Sequence, residues 1–214
     1  MSDAPKTAAR RGAYKLYRGD LPAGIDFGSA VAIDTEAMGL HPHRDRLCLV
    51  QLSGGDGNAH LVQLAPGDYA APNLRRLLAD PKVLKLFHFA RFDLAMMVHY
   101  LETMAQPIYC TKIASRLVRT FTDKHGLRDL CKDLLGVDLK KEQQSSDWGA
   151  ATLTDEQQRY AASDVLHLHA LRQRLDAMLA REGRTGLAQS CFEFLPNRVR
   201  LDLEGWAEQD IFAH

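Results

Sequence analysis

Residues 31–38 read VAIDTEAM, and the placement of this stretch decides the fold. The run reads as a strand, and Asp34 and Glu36 lie two apart on it. Both carboxylates therefore leave the same side of the strand. Two acids on an apolar strand repel each other and lose hydration unless something positive compensates. A strand-end pair facing solvent is the plain alternative, and a bare Asp-x-Glu does not separate the two.

Downstream, RLCLVQLSGG (46–55) reads as a second strand closing in a glycine-rich turn, and AHLVQL (59–64) as a third. Together they predict an antiparallel meander opening the domain. The rhythm then changes. PNLRRLLAD (72–80) has helical spacing, VLKLFHF (83–89) is a strand and RFDLAMMVHYL (91–101) returns to a helix. The pattern repeats through PIYCTKIASRLVRT (107–120) and HGLRDLCKDLLG (125–136). Strands alternating with helices predict an α/β fold, a mixed sheet flanked by helices. Thr154-Asp155-Glu156-Gln157 is a capping-box pattern. From it one long helix is predicted to about Arg181, with Tyr160, Ala161, Val165, Leu168, Leu171, Leu175 and Met178 at helical spacing.

With 214 residues the chain suits a single α/β domain. The expected divisions are a frayed N-terminus over 1–12, the main domain over 13–185 and an extension over 186–214. That extension carries Phe192, Phe194, Leu195, Trp206, Ile211 and Phe212. It is expected to pack on the domain or on an oligomer partner. Basic and acidic residues balance at 27 each, which disfavours tight binding of long nucleic acids and favours a substrate with few phosphates or a site whose cations are metals. Cys48, Cys110, Cys131 and Cys191 form no Cys-x-x-Cys pair, so reduced thiols are expected rather than a zinc site. The N-terminal 20 residues have no apolar signal core. No stretch reaches the ~18 apolar residues of a membrane span, so a cytoplasmic location is expected.

Asp93 follows the strand VLKLFHF where the next helix opens, a position that the helix dipole favours for any acid. Tyr160 and Asp164 lie four apart and share a helix face that also carries apolar residues. Each of these has an ordinary explanation alone. Four carboxylates from strand, turn and helix, joined by a phenol, are what a pair of hard divalent cations would need. Two such ions ~3.5–4 Å apart can activate water and stabilise a leaving oxygen in phosphodiester hydrolysis.

DTE at Asp34 to Glu36, FHFARFD ending at Asp93, and YAASD from Tyr160 to Asp164 resemble the three motifs of the DEDD 3′→5′ exonucleases. The tyrosine four residues before the last aspartate marks the DEDDy branch. AIDTEAM, RLCLVQL, the SDW of Ser146 to Trp148 and LTDEQQRYAASDVLHLHAL further resemble the ribonuclease D-like family, over roughly Val31 to Arg181. The HRDC-type helical domains of ribonuclease D are not expected after this region, and in this the chain is similar to the short nanoRNase C (NrnC) group. The resemblance implies a ribonuclease H-like sheet and two Mg2+ or Mn2+ ions held by Asp34, Glu36, Asp93 and Asp164. It also implies a water oriented by Tyr160, and degradation of short RNA down to dinucleotides to nucleoside 5′-monophosphates. A homo-oligomer, as large as an octamer, is implied as well. Trimming of longer RNA or DNA 3′ ends, and an inactive nucleic-acid-binding module, are the competing readings.

Around those five residues, Leu40 is a candidate wedge between bases or a packing or loop residue. His88 is a candidate phosphate or sugar contact, with a satisfied core histidine as the alternative. Gln144, Ser145, Ser146 and Trp148 precede the catalytic helix and are candidate substrate contacts, Trp148 being equally a packing anchor. Lys112, Arg116 and Arg119 recur at helical spacing, as a solvated face or a phosphate-guiding stripe.

Overall fold

Ala30, Val31, Ala32 and Ile33 are all buried, so this strand lacks the alternation of one that faces water on one side. It sits inside the sheet with helices on both faces, which is why it reads as a continuous apolar run. The computed structural model describes residues 13–139 and 145–213. The predicted N-terminal segment 1–12, and Gln144, lie outside the described residues.

Six strands form one mixed sheet: β1 (Ala13–Arg18), β2 (Ala30–Ala37), β3 (Leu47–Ser53), β4 (Asn58–Gln63), β5 (Leu84–Phe87) and β6 (Ile108–Cys110). Their order is β1-β4-β3-β2-β5-β6. β2, β3 and β4 are the expected antiparallel meander. β5 and β6 add in parallel beyond β2, and β1, which no sequence pattern announced, pairs in parallel with β4. In the β2–β3 ladder Asp34 faces Gln51, and the register shifts between Glu36 and Ala37. Such an irregularity re-aims side chains at a strand end.

Helices α1 (Pro72–Ala79), α2 (Ala90–Leu101) and α3 (Thr111–Val118) lie between and after the later strands. The short α4 (Leu127–Leu130) runs on into a π-helical turn at Cys131–Leu135. α5 (Asp155–Leu166) packs across β1, β2, β3 and β4, while α2 packs against β2, β3, β5 and β6. One continuous apolar core joins these layers.

The predicted helix from 154 to 181 is two helices. α5 ends at Leu166, His167 sits at φ −108° and ψ −7°, and α6 (Leu168–Arg181) begins beyond it. His169, in the first turn of α6, contacts the Ser53 carbonyl at 3.1 Å, tying that turn to the end of β3. Helical spacing continues across a one-residue break, so the apolar pattern could not reveal it. The terminal segment forms α7 (Thr185–Leu201), whose Ala188, Phe192, Leu195 and Val199 are buried against α2, α3, α6 and β6. Phe194, Trp206, Ile211 and Phe212 remain exposed on the same segment.

Candidate active site

The period of two along β2 sends Asp34 and Glu36 toward α5, and the period of α5 turns Tyr160 and Asp164 to meet them. Thr154 fixes where that helix starts: its Oγ1 accepts from the Gln157 amide at 3.2 Å, and its own amide donates to Gln157 Oε1 at 2.8 Å. This is the expected capping box. Carboxylate oxygens of Asp34, Glu36 and Asp164 come within 4.8 Å of one another.

Asp93 falls outside that spacing. It lies in the first turn of α2, 2% exposed, where it accepts from Thr35 Oγ1 at 2.7 Å. Thr35, between Asp34 and Glu36, points to the opposite side of β2. The strand thus presents two carboxylates on one side and the support for a third on the other. Gln51, fully buried on β3, reaches Glu36 Oε1 with its Nε2 at 3.5 Å. Neither Thr35 nor Gln51 was singled out from the sequence. A glutamine inside the apolar run LCLVQLS was the available signal.

Burial pushes the Asp34 carboxyl up to about 7. Glu36 is raised by burial first and then by the charges of Asp34, Asp164 and Asp93. Asp93 and Asp164 are raised by burial and by Asp34, with hydrogen bonds from Thr35 and Tyr160 opposing. The four acids therefore destabilise one another's ionised forms, and a hard cation would relieve this. The donors are all oxygen, as magnesium requires. On both counts the residues fit a divalent cation. Burial and the neighbouring carboxylates also raise the Tyr160 phenol, which keeps its proton at neutral pH.

Trp148 is 3% exposed, and its ring centroid lies 6.1 Å from that of Tyr160 in a tilted pair, so it packs beside the Tyr160 ring. Leu40 is 78% exposed, which places it on a loop and excludes core packing. His88 is half-buried in the wall of a cleft of about 350 Å³ shared with Asp34, Glu36, Tyr160 and Asp164. Thr111 Oγ1 donates to the Phe87 carbonyl at 3.1 Å, so His88 Nδ1 donates to Thr111 Oγ1 at 2.9 Å. Burial and Lys112 hold this imidazole down to about 3, hence neutral. Ser145 is exposed and Ser146 half-buried on the loop before α5.

The basic stripe is not formed. Arg116 is exposed, but Arg119 is 3% exposed and bonded to the Lys124 carbonyl and Asp133. The reason is local: α3 stops at Val118, and Arg119 leaves the helical path at ψ 57°. Lys112 sits with its ammonium 4.3 Å from the centroid of the Phe89 ring, in the wall of the same cleft.

The family model described as 3′-5′ exonuclease matches residues 20–180. A ribonuclease D from Gluconacetobacter diazotrophicus is 40% identical over 154 residues, 72% of this chain. The chain spans 39% of that relative's length. Among solved structures, Brucella melitensis NrnC with bound Mg2+ superposes with a TM-score of 0.91 at 54% identity, covering 94% of this chain and 99% of that one. Brucella melitensis NrnC bound to pGG gives 0.92 at 55% identity, covering 95% and 99%.

Proposed function

We propose, since this chain belongs to the 3′-5′ exonuclease family, in its ribonuclease D-like branch near NrnC, that it is a two-cation 3′→5′ exoribonuclease acting on short RNA. Its substrates extend down to dinucleotides, and its products are nucleoside 5′-monophosphates. The observation that carries this reading is the meeting of Asp34, Glu36 and Asp164 within 4.8 Å at the wall of a cleft.

Asp34, Glu36, Asp93 and Asp164 would hold two Mg2+ or Mn2+ ions. Bound there, such ions would supply a lowered pKa for a bound water and neutralise charge on the leaving oxygen. Tyr160, protonated, orients the attacking water by hydrogen bonding rather than taking its proton. Trp148 acts through Tyr160 by fixing its ring. Thr35 and Gln51 hold Asp93 and Glu36 in place. Leu40, being exposed, is free to wedge between bases. His88, Gln144, Ser145 and Ser146 remain proposed substrate contacts.

The short-substrate reading draws support from the pGG ligand of the Brucella protein, which this chain matches over nearly its whole length. The exposed Phe194, Trp206, Ile211 and Phe212 support a homo-oligomer. A cytoplasmic location accords with a role in RNA turnover, and no described helix is long and apolar enough to cross a membrane. The test uses 5′-labelled RNA of two, three, seven and twenty nucleotides with magnesium or manganese, followed for product length. Faster loss of the shortest species is expected. Equal rates at every length would leave the exonuclease standing and favour the broader trimming of RNA or DNA 3′ ends. Unchanged cleavage by Asp34→Asn would remove the active site proposed here.

A further inference from the structure

Phe89 joins three properties that packing alone does not account for. It is 46% exposed. Its backbone is left-handed, at φ 68° and ψ 45°, a conformation that bulky side chains rarely adopt. Its ring carries the Lys112 ammonium 4.3 Å from the centroid. Both residues line the cleft that holds Asp34, Glu36, Tyr160 and Asp164.

Glycine would take this backbone conformation without strain and would leave no apolar ring in water. The neighbours nevertheless hold phenylalanine there from both sides. Thr111 bonds the Phe87 carbonyl and His88, Ala90 is buried at the start of α2, and the Phe92 amide donates to the Phe89 carbonyl at 3.1 Å. Strain of this kind persists only where surrounding structure imposes it, and it concentrates at ligand sites. A flat apolar ring beside a phosphodiester-cutting centre matches the one feature all nucleotides share besides phosphate, a base with a π face.

We propose that the Phe89 ring is a stacking platform for a base of the oligonucleotide, held from its other face by Lys112. The ammonium occupies one side of the ring, which leaves the opposite side for the base. Lys112 fixes the ring's orientation and adds a positive charge to a cleft otherwise dominated by carboxylates. The inference rests on the exonuclease reading above and deepens it: binding through a π face is tolerant of which base is presented.

The experiment is steady-state kinetics of the full chain with magnesium on a dinucleotide and on its analogues lacking one base or the other. Phe89→Ala should raise KM about ten-fold on the intact dinucleotide and leave kcat within about two-fold, since stacking binds without touching the reacting atoms. Phe89→Tyr should stay near wild type. Removal of the stacked base should weaken the wild type and leave Phe89→Ala indifferent. Phe89→Gly should unfold at a temperature no lower than wild type, because its strain is relieved, while sharing the KM defect. Wild-type KM for Phe89→Ala on every substrate, or a KM defect equal with and without either base, would overturn the stacking role alone. Absence of cleavage by the wild type would instead overturn the exonuclease reading, and the stacking role with it.

Discussion

Replacing Thr35 by valine removes one hydroxyl and keeps nearly the same shape. The lost contact is the 2.7 Å bond to Asp93, between side chains whose residues are 6% and 2% exposed. Without a cation, burial and Asp34 favour the protonated Asp93 carboxyl. The bond is then between neutral groups and contributes roughly 1 kcal/mol. With a divalent cation bound, Asp93 is ionised and the same bond is charge-assisted, contributing roughly 2 kcal/mol. In a chain of this size each 1 kcal/mol moves the melting temperature by about 2–4 °C. Thr35→Val should therefore melt about 2–4 °C below wild type in EDTA, and the gap should roughly double in saturating magnesium. Thermal melts of wild type, Thr35→Val and Thr35→Ser, in both conditions, measure this directly, and serine should track wild type because it keeps the hydroxyl. A gap of the same size with and without magnesium, or serine melting with valine, would refute the coupling of Thr35 to an ionisable, cation-facing Asp93.

Asp164→Asn takes one acid from the crowded trio, so it should melt above wild type in EDTA while losing cleavage; the stabilisation of about 2.7 kcal/mol that a ligand at a hundred times its Kd gives should shrink in the variant. His88 is held neutral down to about 3, whereas an unfolded histidine takes up its proton near ~6.5. Stability fully present above ~6.5 is therefore lost as pH falls toward 3, and His88→Gln should flatten the melting temperature between pH 6.5 and 4 relative to wild type. Thr154→Ala removes the capping hydroxyl of α5 and should cost about 1 kcal/mol in urea unfolding, with a drop in kcat because the same helix carries Tyr160 and Asp164.

The sequence by itself determined the pairs. Asp34 with Glu36, and Tyr160 with Asp164, each share a face because the periods of strand and helix are set by backbone geometry that any reader can count. The meander, the capped start of α5 and the alternation of later strands with helices were legible for the same local reason. What joins the pairs was not. That α5 packs on β2 so that Asp164 meets Asp34 and Glu36, that Gln51 stands opposite Asp34, and that Thr35 reaches Asp93 from the other side of the strand depend on register and helix approach, which the packing of the whole core decides. The break at His167, the departure of Arg119 from its helix and the left-handed Phe89 are likewise imposed from outside their own segments, by contacts with residues distant in the chain or by neighbours that overrule local preference. Asp34, Glu36 and Asp164, ordinary acids one by one, become one mutually repelling, cation-fitting site, with Asp93 buried behind it, only when that packing brings them together in a half-buried cleft.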